Sequence, residues 1–384
     1  MTTHKKLIEL IRGVLNDDYK IEYDDCDWEK VYSLACEHSV VNLLYYAVEK
    51  SGADVPAEIK NRLQNHFLSL VMQLHQQKQY LSLVEKELTE HKIRFLCLKG
   101  QSVRDAYPEE EMRSSCDVDL FYDNAYTKEV HEIAQKMGFK LRETGENHYE
   151  YEKGNITIEF HYALTPPNSF LNEYYEDVWQ KLKTEDGFKH SFTTENNYIY
   201  IMLHFVKHFF SGGGGIRQMA DIYMYNKKYL QMDREYLSDE FDKLGISKFV
   251  QVAESLASKL FGDQNFTDEE KEVLEFVLSG DTYGSESSAA ETKFKGKTEM
   301  HTKINYVIYR AFPPYAKMKN MYNSLEKAPV LLPIYWVARW FDIVFRRRER
   351  ISRVLKTAKD VSASSKTDTV LKIVDLRDKT SRFF

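Results

Sequence analysis

The sequence predicts an α+β protein: a small mixed β-sheet core with helical regions before and after it along the chain. Three patterns carry this. Residues 1–92 place apolar side chains at helical spacing. Residues 93–165 hold short apolar runs set between turn residues and one helical stretch. From 166 onward helical patterns return. At 384 residues the chain exceeds one ordinary compact core. We expect an N-terminal helical region (1–92), an α/β core (93–165), a helical lobe with flexible loops (166–300) and a C-terminal helical region with a basic segment (301–384).

Each element follows from local pattern. Leu7, Ile8, Ile11, Val14 and Leu15 form one helical face, and Val31, Leu34 and Ala35 with the run from Val40 to Ala47 form the next. Pro56 opens a long helix whose stripe runs Ile59, Leu63, Phe67, Leu70, Leu74, Tyr80, Val84 and Leu88. A strand over 93–98 ends at Lys99-Gly100, where a short helix to about Tyr107 begins. Strand 116–122 follows the acidic loop Glu109 to Glu111. Asp123 or Asn124 caps a helix that Gly138 ends. Strand 139–143 comes next, then a hairpin of about 147–152 and 156–163 turning at Lys153-Gly154-Asn155. Pro166-Pro167-Asn168 marks a boundary. Residues 171–280 read as mainly helical, with an extended segment near His190 to Thr193. The four glycines from Gly212 to Gly215 lack a G-K-[ST] ending and read as a hinge, and 280–300 as a mobile surface loop. The tail from Ser362 is polar and is expected to be partly disordered.

Composition narrows the function. An apolar content of 43% and an aromatic content of 14% indicate a globular chain. A net charge of −6 argues against a whole-surface nucleic-acid binder, though a local basic groove stays open. Cysteines 26, 36, 97 and 116 form no C-x-x-C pair, which argues against a zinc ribbon. No signal-peptide pattern or membrane span is read, and the expected location is cytoplasmic.

The chemistry concentrates between Phe95 and His161. Along a strand, Asp117 and Asp119 share a face and Val118 takes the other. Two adjacent carboxylates repel unless a cation lies between them, and hard oxygen ligands suit Mg²⁺. Glu159 lies on the polar face of Ile156–Ala163, beside Thr157 and His161. As a bare D-x-D the pair reads more readily as a solvated strand edge; the strand context, Lys99-Gly100 before it and Glu159 after it reverse that.

This arrangement of strand, Lys99-Gly100, short helix, Arg113, Asp117-x-Asp119 and a later Glu159-Phe160-His161 resembles the DNA polymerase beta-like nucleotidyltransferase superfamily, and within it the branch of uncharacterised bacterial nucleotidyltransferases. Asp27-Trp28 with Leu34-Ala35 and His38 is similar to that branch's N-terminal helices, and Phe312-Pro313-Pro314-Tyr315, Met318 and Leu331-Leu332-Pro333 to its C-terminal end. One departure stands out: the superfamily has a Gly-Ser pair close before the carboxylates, whereas here Gly100 is followed by Gln101 and then Ser102, and the gap to Asp117 is longer. The resemblance implies transfer of a nucleoside monophosphate from a nucleoside triphosphate, ATP or another, to a hydroxyl-type acceptor (sugar, small molecule, RNA or protein). It implies two Mg²⁺ ions, with Mn²⁺ as substitute, on Asp117, Asp119 and Glu159. Lys99, Gly100, Ser102 and Arg113 would meet the nucleotide, Arg113 alternatively bracing the site. His161, Lys207, Arg217 and Asp221 would surround it. The alternative is a catalytically silent nucleotide-binding scaffold acting in a complex or at a membrane surface.

Two further features weigh less. His204 and His208 stand i, i+4 on a helix, a zinc spacing with no obvious third ligand, so core packing is the preferred reading. Residues 336–356, apolar-aromatic and then basic, fit a membrane surface or RNA phosphates. A helix packed on its own domain with a solvated basic face is the favoured reading there.

Overall fold

The fold is that of a computed structural model, which describes residues 2–19, 26–98, 100–165, 169–210, 212–280, 299–315, 318–319, 322, 324–346, 354 and 365–379. It is α+β, as expected, but its sheet is larger than expected, with seven strands in the order β3-β4-β5-β2-β1-β7-β6. The strands are β1 Phe95–Cys97, β2 Asp117–Tyr122, β3 Lys140–Thr144, β4 His148–Lys153, β5 Ile156–His161, β6 Leu182–Asp186 and β7 Lys189–Phe192. The two extra strands lie in the stretch expected to be mainly helical: β7 coincides with the extended segment expected near His190 to Thr193, and β6 is the unexpected strand. Lys183 and Thr184 with Ser191 and His190 close a hairpin, and β7 lies parallel to β1 with Phe95 opposite Lys189.

Among the described residues four helices precede the sheet: α1 Thr2–Asn16, α2 Trp28–Glu37, α3 Val41–Ser51 and α4 Ala57–Glu90. The Asp27 carboxylate caps α2 by accepting from the Lys30 N–H at 3.2 Å. The long stripe of α4 is buried at Ile59, Leu63, Phe67, Leu74, Val84 and Leu88. Its C-terminal half, with α6 (Thr127–Lys136), covers one face of the sheet, where Leu120, Tyr122, Ile158 and Phe160 meet Val84, Leu88, Val130 and Ile133. Alternation along β2 and β5 therefore turns Asp117, Asp119, Glu159 and His161 to the opposite face. Between β4 and β5, Gly154 takes a φ of 63°, a left-handed value that the tight turn demands and glycine supplies without strain.

The site face is covered by α8 (Thr194–Phe210) and α9 (Gly215–Lys228), joined through the glycine-rich stretch; α5 is Gly100–Arg104 and α7 is Leu171–Tyr175. Helices α10 (Arg234–Leu244), α11 (Ser247–Leu260) and α12 (Asp268–Ser279) complete the lobe behind α8, which is buried along most of its length.

The C-terminal residues are largely helical where they are described. The tail forms a helix, Ser365–Ile373, and Val370, Leu371, Val374 and Leu376 join the lobe's core. The polarity of the stretch hid a short amphipathic face that gains its order by packing on α12. The helix Leu332–Arg346 turns both tryptophans back on the preceding segment: the Trp336 and Trp340 indoles donate to Pro313 O at 2.9 Å and Ala311 O at 2.7 Å. Pro166-Pro167-Asn168, residues 281–298 and most of 347–356 lie outside the described residues. Among the described residues no helix is long and apolar enough to cross a membrane.

Candidate active site

Parallel pairing of β2 with β5 builds the centre. The register sets Asp117 against Thr157, Asp119 against Glu159 and Phe121 against His161. Carboxylate oxygens of Asp117, Asp119 and Glu159 come within 4.8 Å of one another. Three oxygen donors so close fit a divalent cation of the magnesium type. His161, buried beside them, places Nε2 at 3.0 Å from Asp119 Oδ1 and 3.1 Å from Glu159 Oε2. On its other side Asn147 Nδ2 lies 3.4 Å from His161 Nδ1. Asn147 also donates to Ala163 O at 2.9 Å, which fixes its nitrogen end.

The carboxylates open into a cleft of about 230 Å³ whose opposite wall is helical. His204, Lys207 and His208 of α8 line it, with Arg217 and Asp221 of α9. Carboxylates on one wall and cations on the other suit an anionic ligand that carries its own metal ions. Burial raises the Tyr200 phenol, with the charges of Asp119 and Glu159 adding to the effect.

A family of uncharacterised nucleotidyltransferases matches residues 24–262, which span helices α2 to α11 and the whole sheet. The chain belongs to this family. No curated protein and no solved structure matches it.

The other expected residues of this nucleotidyltransferase fall into two groups. Lys207, Arg217 and Asp221 line the cleft with the carboxylates. Arg113 does so as well, yet its guanidinium is engaged: Nε and Nη2 reach the Asp221 carboxylate at 2.8 and 2.9 Å, and both residues are buried. Tyr107 donates to the same carboxylate at 2.8 Å, and burial and then Asp221 hold its phenol well above the ordinary range. Ser102 turns its hydroxyl to Asn197 Oδ1 at 3.1 Å, toward the start of α8. Gly100 opens α5, as expected; Lys99 lies outside the described residues.

Arg104 and His148 have no role in the sequence reading, which gives His204 and His208 core packing and hydrogen bonding. Arg104 is buried and donates to Arg113 O at 3.0 Å; burial and then the charge of Arg113 bring it down to about 10. His204 and His208 face the cleft, 3.1 Å apart through Nε2. His148 stands opposite His161 in the β4–β5 pair, with Nε2 3.8 Å from Glu159 Oε2. Burial lowers its pKa, partly opposed by Glu159. Counting back from the Gly154 turn pairs 150 with 159 and 148 with 161, so hairpin register was the signal that could have found it.

Proposed function

We propose that this nucleotidyltransferase moves a nucleoside monophosphate from a nucleoside triphosphate to a hydroxyl-type acceptor and releases pyrophosphate, in a magnesium-dependent reaction. The observation that carries this is the gathering of Asp117, Asp119 and Glu159 within 4.8 Å, on a sheet face turned to a cationic helical wall. Asp117 and Asp119 would hold two ions and Glu159 the catalytic one. When bound, Mg²⁺ or Mn²⁺ would supply charge neutralisation at the α-phosphate, the leaving oxygen and the acceptor hydroxyl.

The chain's own groups do the rest. Glu159 orients the acceptor hydroxyl and takes its proton as the oxygen bonds to the α-phosphorus. The bond from that phosphorus to the α,β-bridging oxygen breaks, and its electron pair leaves with pyrophosphate. Lys207 and Arg217 offset the triphosphate charge from the facing wall, Gly100 offers a close backbone approach at the start of α5, and Lys99, next to it in the sequence, would add a charge. Arg113, held by Asp221, fixes the approach to β2. His161 keeps Asp119 and Glu159 aimed at one point.

The test is to incubate the protein with each α-labelled nucleoside triphosphate, Mg²⁺ and a cell extract, beside Asp117→Asn/Asp119→Asn. Label should move to an acceptor with the native protein alone. Nucleotide binding without any transfer would instead support the silent scaffold, acting in a complex or at a membrane surface.

A further inference from the structure

The β3–β4 turn carries two residues that the transfer chemistry leaves without a role, Asn147 and His148. The turn is closed by the Gly145 N–H donating to His148 O at 2.9 Å, and the strand register then lays His148 over the carboxylate end of the site.

The hydrogen bonds assign its tautomer. Asn147 Nδ2 donates to Ala163 O, so Asn147 Oδ1 is the acceptor that faces His148 Nδ1 at 3.3 Å. His148 Nδ1 therefore carries the proton, and Nε2 presents a lone pair 3.8 Å from Glu159 Oε2. Adjacent ligand atoms about 2.1 Å from one octahedral ion stand about 3.0 Å apart, so the pair closes by somewhat under 1 Å, roughly, when an ion enters between them. A metal-binding histidine usually has its other ring nitrogen held by a hydrogen-bond acceptor, and Asn147 serves as one here.

His161 also lies within reach of Glu159, but the network gives it the opposite tautomer. Its Nδ1 faces the Asn147 donor at 3.4 Å, so its Nε2 carries the proton between Asp119 and Glu159. It braces the carboxylates and offers them no competing lone pair. Gly145 completes the arrangement. A Cβ at that position would stand 2.7 Å from His148 Nε2, so only glycine leaves the imidazole its place.

We infer that His148 Nε2 is a nitrogen ligand at the Glu159 side of the metal centre, so that the position between them prefers a transition ion such as Mn²⁺ to Mg²⁺. This rests on the metal-dependent reading above and deepens it.

The test uses Mn²⁺ alone, without nucleotide, and pulsed electron paramagnetic resonance. Wild-type protein should show ¹⁴N coupling to bound Mn²⁺. His148→Gln should abolish the coupling and weaken Mn²⁺ about tenfold while Mg²⁺ affinity changes little. His161→Gln should keep the coupling. Gly145→Ala, which alters no ligand, should reduce it by displacing the ring. Bound Mn²⁺ without ¹⁴N coupling in the wild type, or coupling that survives His148→Gln, overturns the assignment and leaves the transfer reading standing. Failure of Mn²⁺ to bind without nucleotide also overturns the assignment and leaves standing the transfer reading, whose ions can arrive with the triphosphate. Coupling without any nucleotidyl transfer supports the nitrogen ligand and overturns the transfer reading alone.

Discussion

Arg113 and Asp221 form a buried, two-point ion pair, with Nε and Nη2 of the guanidinium at 2.8 and 2.9 Å from the carboxylate. It ties the residues leading into β2 to the middle of α9, and so fixes the carboxylate wall relative to the cationic one. Breaking it from one side leaves a buried charge without its partner. Arg113→Met or Asp221→Asn should therefore cost about 3–5 kcal/mol in urea unfolding. The double variant Arg113→Met/Asp221→Leu should recover much of that loss, apart from the acceptor that Tyr107 then lacks.

The three carboxylates should behave as one unit in turnover. Asp117→Asn, Asp119→Asn and Glu159→Gln should each reduce transfer by about a thousandfold, corresponding to several kcal/mol of charge stabilisation. The double variant should be little worse than either single one. Unfolding midpoints should hold or rise, because replacing a carboxylate relieves repulsion on that face. Steady-state kinetics beside thermal melts checks both parts.

Lys207 is exposed on the cleft wall, so its loss should act on binding rather than on folding. Lys207→Ala should raise KM for the triphosphate by roughly tenfold with a smaller change in kcat, as one charge-assisted contact is removed. The KM of the native protein should rise with salt and that of the variant less steeply.

His38 gives the fold a pH dependence. It is buried at the end of α2, where Nδ1 accepts from the Ile216 N–H at 3.4 Å, at the start of α9. Burial, then the nearby His4, lowers it from 6.5 to about 4. Below pH 6.5 the unfolded chain takes up a proton that the folded chain refuses. Stability should fall between pH 6.5 and about 4, by up to about 3 kcal/mol. Below that the His38 contribution should level off. His38→Gln should flatten the slope over that interval in urea unfolding followed at each pH.

The site was partly legible because strands have a period of two. Asp117 and Asp119 had to share a face, and Glu159 and His161 had to share one on the next strand of the motif. Pairing across the Gly154 turn also contained the register of His148, but reading it required the turn to be placed to the residue. The ion pair of Arg113 and Asp221 had no such signal, since the two lie on elements brought together only by packing. The sheet was underestimated for a related reason. Its hairpin at 182–192 is short, polar and partly exposed, and it becomes strand by pairing with β1.

By itself the sequence determined the mixed α+β class, the helical stripes, the carboxylate face and, with the family it matches, the nucleotidyltransferase assignment. These depend on local periodicity and on residues fixed within one or two neighbouring strands. Only the tertiary structure decided that β2 and β5 run parallel in register, that α8 and α9 form the facing wall, and that Arg113 is held by Asp221. Those relations join residues far apart in the chain. They are set by how apolar faces bury against one another, which no local pattern encodes.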